Sequence, residues 1–140
     1  MPVDRPSPST PASAALLAAH GANDALWDWN LLIDEVYWSP GWKALLGYQE
    51  SEIGVSSNEW FDRVHPDDLL LVSQALAAHL DDQSSHFEVE HRVRDRGGAF
   101  RWVLCRGAVV RSSAGIATRL TGSFSDLTHV RRADPLTTEP

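Results

Sequence analysis

From residue 86 onward the apolar residues stop recurring at helical spacing and begin to alternate. In HFEVEHRVR (86–94), Phe87, Val89 and Val93 fall on one side and Glu88, Glu90 and Arg92 on the other, the period-two pattern of a strand with one wet face. Gly97-Gly98 supplies a tight reversal, so AFRWVLCRGAVVR (99–111) returns beside the first segment as a hairpin. This second strand is apolar on both faces near its middle, with Phe100, Trp102 and Leu104 on one and Val103 and Cys105 on the other. SSAG turns the chain again, and ATRLTGSFSD (117–126) sets Leu120, Gly122 and Phe124 against Thr121, Ser123 and Ser125.

The first half of the chain has a different texture. LWDWN (26–30) alternates, with Trp27 and Trp29 on one face and Asp28 on the other, and after the turn LLIDE a second strand follows in EVYWS (35–39). Ser39 is placed to cap the helix PGWKALLG, which has Pro40 at its first position and Gly47 just past its end. YQESEIG and SSNEWFDRV each hold a helical turn, the second begun by Ser56 or Ser57. VHPDDLLLVSQALAAHLDD is expected to be the longest helix, with Pro66 at its first position and Asp67 and Asp68 in its first turn. Leu69, Val72, Leu76 and Leu80 form one stripe, with His79 inside it. Two strands, a helical cluster and three strands, with no repeated βαβ unit, predict an α+β fold: an antiparallel sheet with its helices gathered on one face.

Length and charge narrow the function. A chain of 140 residues, 43% apolar, matches one domain with one core. A net charge of -7 argues against a nucleic-acid or anionic-membrane surface. Cys105 is the single cysteine, which rules out an internal disulfide and a CxxC site and points to a reducing compartment, the cytoplasm. Residues 1–13 hold four of the eight prolines and are expected to be disordered. AALLAAH (14–20), stopped by Gly21, reads as a short flanking helix over 14–24, too short for a membrane span.

No catalytic or metal-binding constellation emerges. His86 and His91 differ by an odd number in a strand and face opposite ways. His65 and His79 share a helix face but stand ~20 Å apart. The Asp67-Asp68 and Asp81-Asp82 pairs point ~100° apart and read as helix ends. GSFSD lacks the spacing and following helix of a nucleophile elbow. Glu88, Glu90 and Arg92 read as cross-strand ion-pair partners of the arginines on the next strand. The chain is expected not to be an enzyme.

Five stretches in order, ALWDWN, EVYWSPGWKALLGY, WFDRVHPDD, RDRGGAFRWV and GSFSDLT, resemble the PAS sensory-domain family over residues 25–128. The last two are similar to the C-terminal motif of that family, in which a strand finishes on Asp, an aliphatic residue and Thr. The resemblance implies a five-stranded antiparallel sheet of order 2-1-5-4-3 with helices closing one face over a small pocket. It also implies that the segment after Asp126 and Thr128 starts a signalling helix leading to an output domain, a histidine kinase or a diguanylate cyclase. Both residues are good helix caps, and the other reading of 129–140 is a frayed linker. DPLT (134–137) is similar to a cyclase opening, but follows Thr128 too closely for the usual linker helix.

The family's cofactor classes can be tested against the residues. The helical cluster reads SEIGVSSNEWF and lacks the Asn-Cys-Arg of flavin light sensors, while Cys105 lies on a strand. Haem would require His79, which sits near the helix end. Neither cofactor is expected. By resemblance, Trp27, Trp29, Trp38, Trp42, Leu45, Trp60 and Val72 surround the pocket, with Cys105, Leu120 and Phe124 as its floor. The indoles either fill that space or hold a planar ligand between their faces. If Val103 and Cys105 point inward, Phe100, Trp102 and Leu104 lie on the sheet's back and need a cover. Leu16 and Leu17 of the flanking helix and a second copy of the domain are the candidates, and a homodimer is expected; the alternative is that the flanking helix alone shields the patch.

Overall fold

The computed structural model describes residues 24–128 and Val130. The chain runs β1 (Ala25–Asn30), β2 (Glu35–Trp38), α1 (Pro40–Leu45), a 3-10 turn (Glu50–Glu52), α2 (Asn58–Phe61), α3 (Leu69–Leu80), β3 (Phe87–Arg94), β4 (Phe100–Arg111) and β5 (Ala117–Asp126). One antiparallel sheet of order β2-β1-β5-β4-β3 results, as expected. The expected segment 1–13 and the flanking helix expected over 14–24, with Leu16 and Leu17, lie outside the described residues except for Asp24, as does 129–140 apart from Val130.

The local signals act as read at most junctions. The Ser39 side chain accepts from Trp42 N at the start of α1, with Pro40 in the first turn. Gly98 and Gly115 adopt φ of +92° and +84° at the two hairpin turns.

The start of the longest helix is a correction. α3 begins at Leu69 rather than Pro66, so His65, Pro66 and Asp67 lie before it. Asp68 occupies the cap position but its side chain does not cap. Its carboxylate instead accepts from the backbone N, Nε and Nη2 of Arg92 on β3, and charge-assisted bonds of this kind outcompete a cap. The predicted stripe is corrected with it. Val72 and His79 face the core, Leu76 and Leu80 are half-buried, and Leu69 is exposed.

Both sheet edges are partly paired. His65 N donates to Arg92 O, Arg94 N donates to Arg63 O, and Val64 bridges Val93, which covers the free side of β3. Val36 N on β2 donates to Val55 O. In the middle of the sheet Gly107 lies opposite Gly122. A Cβ at Gly122 would fall 1.8 Å from Arg106 O and 2.7 Å from Trp27 Cζ2, so the two glycines form a notch against which the Trp27 indole lies.

Candidate functional site

The sheet presents Trp27, Val89, Cys105, Leu120 and Phe124 to the helices, which return Trp42, Trp60 and Val72 into the same cluster with Trp38 of β2. Trp29 and Leu45 pack against it, half-buried. All ten residues assigned to the pocket therefore meet. They meet as a packed core: Trp27, Trp42 and Trp60 are fully buried. Trp38 stacks on Trp42 at 4.2 Å between centroids, Trp27 meets Trp60 at 5.7 Å, and Phe124 stands edge-on to Trp42 and Trp60 at 5.8 and 5.5 Å. The edge-on contacts of Phe124 are favourable T-shaped ones. Leu45 and Phe124 also line a cleft of about 900 Å³ that runs past Gly41 and Ala44 of α1 and along β4 and β5 at Gly107 and Gly122.

Two further rings, Phe87 and His91, pack against this cluster. Phe87 stands edge-on to Trp60. His91 is completely buried, and its Nε2 accepts from Trp60 Nε1–H at 3.0 Å while Nδ1 faces Val89 O at 3.3 Å. Burial lowers the His91 pKa to about 4, against smaller opposing effects of the Val89 carbonyl and Asp68. The signal was present, because residue 91 is in phase with 87, 89 and 93. A polar side chain in that register needs a partner, and Trp60 lies 31 positions away.

The residues do not fit haem or a flavin adduct. His79 is buried with both ring nitrogens engaged: Nδ1 donates to Ser84 O and Nε2 accepts from Val109 N at 2.9 Å, which ties the end of α3 to β4. Ligation would break that tie. Burial pushes the Cys105 thiol well up, offset in part by the Trp27 indole, the reverse of an activated thiolate. No group of three or more His, Cys, Asp or Glu among the described residues is placed to hold a metal ion.

Asp126 and Thr128 act as a clasp. Asp126 Oδ1 accepts from Thr128 N, the local bond expected of a cap, and Oδ2 pairs with Arg101, which also pairs with Asp95. Thr128 Oγ1 accepts from Trp102 N at 2.9 Å, and Leu127 N donates to Trp102 O at 2.7 Å. The exit of the chain is thus fastened to the start of β4.

Phe100, Trp102 and Leu104 do lie opposite Val103 and Cys105, but the patch is less bare than expected. Trp102 and Leu104 are half-buried, with the Arg92 guanidinium 5.1 Å over the Trp102 ring, and Phe100 meets the His65 ring at 4.6 Å. Of the expected ion pairs, Arg106 meets Glu88 at 3.6 Å, whereas Arg92 is committed to Asp68. The same face buries Asp28 against Arg119, a pair spanning 91 positions that no local pattern announces.

Residues 35–124 match the family model described as the PAS fold. The sensor protein FixL of Bradyrhizobium diazoefficiens is 28% identical over 108 residues, which is 77% of this chain and 21% of FixL; the chain thus spans about a fifth of that relative. A sensory box histidine kinase/response regulator of Burkholderia thailandensis superposes with a TM-score of 0.72 at 39% identity, over 84% of this chain and 87% of that one. The N-terminal domain of a diguanylate cyclase with a PAS/PAC sensor from Marinobacter aquaeolei gives 0.67 at 25% identity, over 75% and 95%. With its sheet order, its helices on one face and its Asp-Leu-Thr exit, this chain belongs to the PAS-fold family of signal-transduction sensory modules.

Proposed function

We propose that this domain regulates an output domain or partner by conformation and association, with its interior filled by its own rings. The observation that carries the reading is the fully buried Trp27–Trp42–Trp60 cluster, which occupies the space a ligand would need. The signal then leaves through the clasp of Asp126 and Thr128 on Arg101 and Trp102, a small set of bonds whose release frees the chain exit. The output is a histidine kinase or a diguanylate cyclase, in cis or in trans; the neighbours from Burkholderia thailandensis and Marinobacter aquaeolei carry those two names. The back of the sheet, with Phe100 at 39% exposure beside Trp102 and Leu104, supports a homodimer. No catalytic role is assigned to the domain, and no helix among the described residues is long and apolar enough to cross a membrane.

Sedimentation of the protein and of its Trp102→Glu variant tests the association. The parent runs as a dimer and the variant as a monomer; equal masses end the homodimer. A second reading rests on the indole N–H groups of Trp38 and Trp42, buried without a partner among the described residues. Such donors cost free energy unless met by an acceptor, and a planar ligand with acceptor atoms entering beside Leu45 and Phe124 would meet them. Quenching of tryptophan emission together with a thermal shift on titrating aromatic acids favours this reading; the absence of both favours the filled interior.

A further inference from the structure

A helix lying on a core needs one apolar stripe, and α3 carries two. Val72 and His79 face the interior. Leu69, Ser73, Leu76, Ala77 and Leu80 recur at i, i+4, i+7, i+8 and i+11 and, with Phe61 of α2, line a groove of about 410 Å³. Ser73 brings the one side-chain hydroxyl among these residues. Leu69, Leu70 and Leu71 are 40%, 67% and 52% exposed at its N-terminal end. An apolar surface of this kind, rimmed by polar groups, marks an interaction site. From Leu69 to Leu80 the stripe runs about 16 Å along the axis, three turns, the length over which a docked helix places its anchors.

Charge selects the occupant. Asp62 follows Phe61, Asp67 precedes the helix, and Asp81 and Asp82 continue from Leu80; all four are exposed. Of the cations at the two ends, Arg92 is paired with Asp68, while Arg111 is held on the carbonyls of Leu80 and Gly115 and sets its one charge against Asp81 and Asp82. A second copy of α3 laid in parallel would set Asp81 and Asp82 against themselves, and laid antiparallel would set them against Asp67. Like charges so placed oppose association, and an anionic lipid surface is repelled for the same reason.

We propose that the groove between α3 and Phe61 docks an amphipathic helix of a partner protein, its leucine-type residues filling the stripe and its basic flanks meeting Asp62, Asp67, Asp81 and Asp82. The probe is a labelled synthetic four-turn peptide with leucines at that spacing and lysines elsewhere, compared with one carrying glutamates for the lysines, read by fluorescence anisotropy on the whole chain. The lysine peptide binds saturably. Ala77→Arg, at an exposed position, weakens it more than about tenfold with the far-ultraviolet spectrum unchanged; should that variant unfold, Ser73→Arg, also exposed, takes its place. Asp81→Lys with Asp82→Lys weakens binding and flattens its salt dependence. The proposal is overturned by equal binding of the glutamate peptide, by no saturation below about 1 mM, by indifference to the arginine variants, or by self-association that Ala77→Arg abolishes, which would assign the groove to a second copy.

Discussion

Replacing Gly122 by alanine adds one methyl group, and the structure places it where no side-chain rotation can relieve it. The new Cβ would sit 1.8 Å from Arg106 O on β4 and 2.7 Å from Trp27 Cζ2, where ordinary contact begins at 3.4 Å. Gly122 pairs directly with Gly107 between β4 and β5, so opening the gap separates two central strands and lifts the Trp27 ring together. Overpacking costs about 1–3 kcal/mol when side chains can yield. Here a backbone carbonyl must yield, so the loss is put at roughly 3 kcal/mol or more. For a domain of this size that is a fall in Tm of at least about 12 °C.

Thermal and urea denaturation followed by circular dichroism measure it, with the near-ultraviolet band reporting Trp27. Gly107→Ala supplies the comparison, because its Cβ meets Trp27 Cη2 at 2.8 Å and Cζ2 at 3.0 Å, and its backbone conflict, with Thr121 O at 3.0 Å, is far milder than the 1.8 Å at Gly122. In a double-mutant cycle Trp27→Phe shows strong coupling to Gly107→Ala and weak coupling to Gly122→Ala, since the Arg106 carbonyl remains in the second case. A Gly122→Ala protein within about 0.5 kcal/mol of the parent, or equal coupling in both cycles, refutes the notch.

Two further perturbations address the core and the exit. His91 is held with a pKa of about 4 against an ordinary 6.5; the unfolded chain therefore binds the proton more readily, and stability is lost as pH falls from about 6.5 towards about 4, by roughly 3 kcal/mol in all. His91→Gln, which keeps an acceptor for Trp60 Nε1–H, removes this slope in urea midpoints measured between pH 7 and 4.5, and an unchanged slope assigns it to other groups. Thr128→Val deletes the acceptor of Trp102 N–H at a cost of about 1 kcal/mol. Hydrogen exchange at the Trp102 amide rises about fivefold, whereas unaltered exchange would show that Thr128 does not hold the exit.

The strands were legible almost residue by residue because their information is local. Alternation assigns each side chain of 87–94, 100–111 and 117–126 to a face, and Gly98 and Gly115 mark where the chain turns. The ten residues that the resemblance assigned to a pocket do meet in one cluster, a grouping that came from resemblance and not from spacing. The start of α3 was misread because a local preference for Asp67 and Asp68 in a first turn yielded to a bond with Arg92, 24 positions away. Leu69 was read as inward because periodicity gives the spacing of a stripe without saying which of two stripes meets the sheet.

Taken alone, the sequence determined the elements, their antiparallel connections and which strand faces are apolar, since these depend on residues within a turn or a hairpin of each other. Tertiary structure alone decided whether the interior is hollow or full. That outcome depends on Gly107 and Gly122 meeting across two strands to admit the Trp27 ring, and on Trp60 finding His91. Packing is a property of surfaces brought together from distant positions, and a few tenths of an ångström at such contacts separate a binding cavity from a closed core.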